Sequence, residues 1–226
     1  MTRIPNIRAC VFDAYGTLFD FAAAAAACRD ALGDKTAALA ALWRDKQLQY
    51  SWLRTLQNAY VPFERVTADA LDFSLRALDI SPDIRPRLLA LYETLTPFPE
   101  VPALLQRLQH ARLRTAILSN GSPAMLAPLV VQPGLAGRID HVISVDSIGA
   151  FKTDPRAYQL AVDRLALPAA EICFFSSNAW DAWAASAFGF RVIWCNRTAQ
   201  PPENLPGRPD AEVRTLTEAL PLLGLA

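Results

Sequence analysis

Asp13 follows the apolar run Ala9-Cys10-Val11-Phe12 and stands three residues before Gly16. Such a run reads as a buried strand, and Gly16 lets the chain turn sharply after it. Open α/β sheets bind ligands beyond the carboxyl ends of their strands, so a carboxylate there is placed to act as a nucleophile. Asp and Gly also make ordinary turns, and the choice depends on what else reaches the same rim. Three more apolar runs lead to polar groups. Ser119 and Asn120 come at the end of 113–118, Lys152 follows 139–145, and Ser176, Asn178 and Asp181 follow 172–175. Parallel strands would bring these together with Asp13 and Thr17. In a dry pocket shared with Asp181, an ionised Asp13 needs a cation. Lys152 is the natural one, and at an effective dielectric of about 20 a contact near 4 Å contributes on the order of 4 kcal/mol.

The elements that must position these groups follow from periodicity. Strands are expected over 7–13, 113–118, 139–145, 172–175 and 191–194. Helices alternate with them: 102–110, one from Pro123, one capped by Asp154-Pro155 with Tyr158, Ala161 and Leu165 on one face, and 182–188. The tail, 216–223, reads as a helix broken by Pro221, and 200–209 as a proline-rich linker. From 20 to 96 the pattern is helical throughout. Asp20 can cap an alanine-rich helix over 21–28. Leu39, Leu42, Trp43, Tyr50, Leu53 and Leu56 outline a long amphipathic helix. Thr67 can cap a helix carrying Leu71, Leu75 and Leu78, and Ser81-Pro82 can open another, in which Pro86 sits awkwardly. This alternation predicts an α/β protein, a Rossmann-like parallel sheet with helices on both faces. An all-helical cap is inserted after strand one: a core of 1–19 and 97–226, a cap of 20–96.

Composition narrows the function classes. Hydrophobic residues are 52% of 226 and charged residues 19%, enough for a sizeable core. Lys+Arg and Asp+Glu are both 22, so nothing suggests a nucleic-acid or membrane surface. Asp13 and Asp20 interrupt the N-terminal apolar region, against a signal peptide, and the alanine run is far below the ~20 residues of a membrane span. Cys10, Cys28, Cys173 and Cys195 form no C-x-x-C pair and read as buried, reduced thiols of a cytoplasmic protein. His110 and His141 match nothing catalytic.

Asp13-Ala14-Tyr15-Gly16-Thr17-Leu18 resembles the first motif of the haloacid dehalogenase superfamily, whose nucleophile is the first Asp. Most phosphatases of that superfamily carry a second Asp two positions on, as general acid and magnesium ligand. Here Tyr15 stands there. A phenol with a pKa near ~10 is a poor donor at neutral pH, and Tyr is not a usual magnesium ligand. The form with Tyr is that of the L-2-haloacid dehalogenases. Leu42-Trp43-Arg44, Lys46-Gln47-Leu48, Tyr50-Ser51-Trp52, Leu118-Ser119-Asn120-Gly121 and Phe175-Ser176-Ser177-Asn178-Ala179-Trp180-Asp181 look like the same family's cap and strand-end motifs. Where that family often reads Lys-Pro-Asp, this chain reads Lys152-Thr153-Asp154.

The resemblance implies hydrolysis of short L-2-haloalkanoates to D-2-hydroxyalkanoates, with inversion, through an ester on Asp13. It implies no cofactor and no metal; the partners are the 2-haloacid, the halide and a second copy of the chain in a homodimer. Thr17, Ser176, Asn178 and Asp181 would orient Asp13, Lys152 and the hydrolytic water. Asp181 would activate that water or position Lys152. Ser119 would bind the substrate carboxylate, and Arg44 and Asn120 the departing halide. Tyr15, Phe63 and Trp180 would wall the apolar side, with Tyr158 beside the carboxylates. The rivals are a magnesium-dependent phosphatase and a catalytically silent binding protein on the same fold.

Overall fold

The computed structural model describes residues 3–21 and 28–225. Among them a six-stranded sheet runs in the order β3-β2-β1-β4-β5-β6, every neighbouring pair parallel. Its strands are β1 Ala9–Phe12, β2 Arg114–Ser119, β3 His141–Ser144, β4 Ile172–Ser176, β5 Arg191–Cys195 and β6 Ala211–Val213. The helices of six residues or more, in chain order, are α1 Thr36–Leu56, α2 Phe63–Ala77, α3 Arg85–Ala90, α4 Val101–His110, α5 Pro123–Val130, α6 Pro155–Leu165 and α7 Ala179–Phe188. Every residue of β1 and β4 is buried, as continuous apolar strands must be when helices cover both faces of a parallel sheet.

Strand order reverses at the middle of the sheet: the chain winds outward from β1 through β2 to β3, then returns to β4 on the other side of β1. A crevice opens at such a switch point, beyond the strand carboxyl ends. Register sets what faces it. Phe12 lies opposite Phe175, their rings 4.7 Å apart, and Asp13 N donates to Phe175 O at 2.9 Å. The pairing thus runs one residue past β1, setting Asp13 beside the end of β4.

The chain leaves and re-enters this layer by one route. Phe19 and Pro97 form an antiparallel bridge, Asp20 N donates to Thr96 O, and Phe98 N donates to Leu18 O, both at 2.9 Å. Between them the described residues form helices and 3₁₀ turns, with α1 packed along α2. No helix among the described residues is long and apolar enough to cross a membrane.

Several elements differ from the sequence expectation. Thr67 does not cap α2, which starts at Phe63; in its second turn the Thr67 hydroxyl donates to Phe63 O at 2.8 Å. The buried stripe of α1 is Leu39, Trp43, Gln47 and Ser51, while Leu53 and Leu56 face outward, Leu56 79% exposed. Ser81 Oγ accepts from Asp83 N, but this opens a 3₁₀ turn, and Pro86 fits because it lies in the first turn of α3, where its missing N–H leaves no bond unmade. Helix α7 begins at Ala179, three residues early, and β6 forms beyond the proline-rich stretch. The tail makes 3₁₀ turns instead of an α-helix. The alanine-rich run, 22–27, lies outside the described residues. All four cysteines are free and buried.

Candidate active site

Asp13, Lys152 and Asp181 form a buried line of charges at the switch point. Lys152 Nζ lies 3.1 Å from Asp13 Oδ1 and 2.9 Å from Asp181 Oδ2. The lysine is 1% exposed, Asp13 6% and Asp181 not at all. Each charge comes from a different part of the fold. Asp13 follows β1, and Gly16, with φ of 84°, turns the chain back so that Gly16 N reaches Phe19 O. Asp181 lies in the first turn of α7, where a helix N-terminus favours a carboxylate. Lys152 lies in the loop before α6. Its N–H donates to Asn120 Oδ1 at 2.9 Å, and Phe151 N donates to Thr55 Oγ1 at 3.0 Å. The ammonium also sits 4.9 Å from the centre of the Phe174 ring.

The other oxygen of Asp13 accepts two neutral donors, Asn178 Nδ2 at 2.9 Å and Thr17 Oγ1 at 3.1 Å. Asn178 occupies the N-cap position of α7 but makes no side-chain cap; its amide turns to Asp13 instead. Ser176 Oγ accepts from Asn178 N at 3.1 Å, and Thr17 Oγ1 accepts from Ser177 N at 2.8 Å. The turns after β1 and β4 thereby fix one another. Tyr158 OH donates to Asp181 Oδ1 at 2.8 Å.

The helical insertion reaches this network through Arg44 on α1. Its Nη2 donates to Asn178 Oδ1 at 3.0 Å, and its Nη1 to Gln47 Oε1 at 2.7 Å. Tyr15 is buried, its ring 6.3 Å from Phe63 and 5.5 Å from Tyr92. Phe63 also meets Phe151, centroids 5.8 Å apart. Ser119 and Trp180, like Phe63 and the Tyr15 hydroxyl, lie outside the hydrogen-bonded network. Ser119 is fully buried with its Oγ accepting from Gly121 N. Trp180 meets Trp52 edge-on at 5.6 Å and lines an apolar cavity of about 640 Å³ with Tyr158 and Phe188. The sequence reading quoted Gln47 and Gly121 within motifs without giving either a role, and did not name Arg197. Arg197 Nη2 donates to Thr17 O at 2.9 Å while Nη1 pairs with Glu100. An i,i+3 spacing from Arg44 to Gln47 was the available sign of the first.

Burial and charge set the protonation states. Burial disfavours the Lys152 ammonium, but Asp13 and Asp181 outweigh it and hold its pKa above the ordinary value. Burial lifts the Asp181 carboxyl above its usual range, against the pull of Lys152. Burial also raises Tyr158, with Asp181 adding to the effect, so it remains a phenol that donates. Tyr15 is raised first by burial, then by Tyr92 and Asp13. Among the described residues no three His, Cys, Asp or Glu side chains cluster to hold a metal ion; the cation between the two carboxylates is the ammonium. This arrangement supplies a carboxylate held in a fixed direction by Thr17 and Asn178, and a second carboxylate that can take a proton.

Residues 7–189 match the sequence model of the haloacid dehalogenase-like hydrolases. The (S)-2-haloacid dehalogenase of Pseudomonas sp. (strain YL) is 44% identical over 222 residues, 97% of this chain and 96% of that protein. The (S)-2-haloacid dehalogenase 4A of Burkholderia cepacia is 41% identical, with the same coverage. The structure of L-2-haloacid dehalogenase from Xanthobacter autotrophicus with chloropropionic acid covalently bound matches with a TM-score of 0.89 at 36% identity, covering 96% of this chain and 98% of that one.

Proposed function

The chain belongs to the haloacid dehalogenase-like hydrolases, and we propose that it acts within that family as an (S)-2-haloacid dehalogenase. It converts short L-2-haloalkanoates to D-2-hydroxyalkanoates through an ester on Asp13. The observation that carries this reading is the ammonium of Lys152 between Asp13 and Asp181, with Tyr15 where a phosphatase has its second Asp.

The hydrogen bonds to Asp13 support Oδ1 as the attacking atom. A carboxylate oxygen has two lone-pair sites. Asp13 Oδ2 uses both, for Thr17 and Asn178, while Oδ1 accepts from Lys152 alone. Oδ1 therefore keeps a lone pair for C2 of the substrate. Attack forms the Oδ1–C2 bond and expels halide from the opposite side, inverting C2. Halide leaves toward Arg44 and Asn120, while Ser119 and the backbone N–H groups after Asp13 and Ser119 hold the substrate carboxylate. Tyr15, Phe63 and Trp180 form the apolar wall. In the second half, water attacks the carboxyl carbon of Asp13 and gives its proton to Asp181, whose raised pKa suits a base. Lys152 stabilises the oxyanion. Collapse breaks the acyl C–O bond, and Asp181 returns its proton to the departing alkoxide oxygen to give the hydroxy acid. Asp13, left as the acid, loses its proton to solvent and is restored.

Residues 20–96 serve as a cap over a core of 1–19 and 97–226, and Arg44 is the cap's contribution to the chemistry. The enzyme needs no metal, works in the cytoplasm and acts as a homodimer. Chloride release from L-2-chloropropionate, with chiral analysis of the lactate, tests the reading. D-lactate from the L substrate, unaffected by EDTA, is expected. Formation of L-lactate, or activity that appears only with magnesium, would overturn it.

A further inference from the structure

Inside the helical insertion, Arg44, Thr67 and Tyr92 all bond to Gln47. It is fully buried on α1, one turn after Arg44, in the stripe that also holds Leu39 and Trp43. Its Oε1 accepts from Arg44 Nη1 at 2.7 Å. Its Nε2 donates to Thr67 Oγ1 at 2.7 Å and to Tyr92 OH at 2.8 Å. Thr67 fixes which way the amide points. Its hydroxyl hydrogen goes to Phe63 O at 2.8 Å, so toward Gln47 it accepts only. The amide nitrogen must face Thr67, and the carbonyl must face Arg44. Thr67 is itself anchored, because its carbonyl accepts from Trp43 Nε1 at 2.9 Å. A buried amide is costly unless every polar atom is paired. A leucine would fill the same seam between α1 and α2 without that demand, so packing alone does not account for glutamine.

The chain of bonds continues into the core. Arg44 Nη2 donates to Asn178 Oδ1, and Asn178 Nδ2 donates to Asp13 Oδ2. We propose that Gln47 is a positioning residue for expulsion of the halide. Its carbonyl holds one edge of the Arg44 guanidinium, so that the other edge keeps Asn178 and the remaining N–H groups face the leaving group. Without that carbonyl Arg44 keeps its charge but loses one of two anchors. Thr67 and Tyr92 act one step further out, by holding the amide. The role assigned to halide rests on the dehalogenase reading; the fixing of Arg44 by Gln47 does not.

The test compares Gln47→Leu, Gln47→Glu and Thr67→Val, each alone and combined with Arg44→Ala. Groups that orient a primary ligand typically contribute about 10–100-fold, and a loss of that size in kcat on L-2-chloropropionate is expected for Gln47→Leu, with KM little changed. The loss should shrink on the bromo substrate, whose leaving group needs less help. Gln47→Glu keeps the acceptor for Arg44 but loses both donors. Its kcat should exceed that of Gln47→Leu while its thermal stability should not, and this opposite ordering separates positioning from folding. Thr67→Val frees the amide to flip and should lower kcat in the same sense. Placed on Arg44→Ala, none of the three should have much further effect on kcat. Equal losses with and without Arg44, or kcat following melting temperature across the set, would sink the proposal. Stabilisation by sodium bromide, read as a melting shift, needs no turnover. It should be present in the unsubstituted protein, absent in Arg44→Ala and weakened in Gln47→Leu. That order in a protein that dehalogenates nothing would remove the dehalogenase reading and keep Gln47. Normal turnover with normal bromide shifts in Gln47→Leu would do the reverse.

Discussion

Asp13 has one oxygen saturated by Thr17 and Asn178 and one shared with Lys152 alone, and a covalent role leaves an isotopic trace. With enzyme in excess and one turnover in H₂¹⁸O, the product should carry unlabelled oxygen at C2, and the peptide holding Asp13 should gain the label. Labelled product in the first turnover, read by mass spectrometry, would mean that water attacks C2 directly. Asp181 has a different signature. Burial raises its pKa, and the Tyr158 hydroxyl pulls it back by donating to the ionised form. The ionised form is the base, so activity should fall as pH drops through a value above the ordinary carboxylate range. Tyr158→Phe removes a donor to the carboxylate, raises that pKa further and should move the acid limb of the kcat profile to higher pH. An unmoved or lowered limb would mean that Asp181 is not the titrating base.

At the scale of elements, what could be read from the sequence divides by the kind of pattern. Strand ends were legible because a run such as Ile172-Cys173-Phe174-Phe175 stops at a polar residue, and parallel pairing puts all such stops on one rim. The α1 seam was not. Counting apolar residues chose Leu53 and Leu56, whereas the helix turns Gln47 and Ser51 inward, since a polar side chain can be buried once its partners are supplied by other elements. Those partners, Thr67 and Tyr92, are 20 and 45 residues away, beyond any local signal. Strand β6 escaped because three residues, Ala211-Glu212-Val213, carry no period. Gly121 was quoted in a motif, but its role was not legible for another reason: its need is steric. A Cβ there would lie 2.8 Å from Tyr15 OH and 2.9 Å from Tyr15 Cε2. The Tyr15 ring is packed by Phe63 and Tyr92 and has little room to yield. Gly121→Ala should therefore cost about 1–3 kcal/mol, as overpacking does, and should lower kcat by moving Tyr15. Urea unfolding gives the first and steady-state rates the second; unchanged values in both would show that the turn relaxes freely.

The whole molecule is wired to bring two carboxylates together and then to neutralise them. Strands β1 and β4 are neighbours only because the chain returns to the centre of the sheet after β3, and that return places Asp13 near Asp181. Lys152 arrives from a loop 139 residues from Asp13 in sequence and ends 1% exposed between them. Removing one partner of a buried ion pair typically costs about 3–5 kcal/mol, because the charge left behind is uncompensated. Lys152→Met keeps an apolar stem and removes the ammonium, so a loss of that size is expected at neutral pH, together with loss of turnover. The loss should depend on pH. Without the cation, burial raises the folded pKa of Asp181 further above that of the unfolded chain. The folded variant then binds more protons than the unfolded one across that window, so its stability falls as pH rises through the raised value and recovers toward acid. The native protein keeps Lys152 charged across the same range. The gap between the two, measured by urea unfolding at about pH 5 and about pH 7.5, should be wider at the higher pH. A gap of equal size at both would mean that Lys152 contributes packing alone.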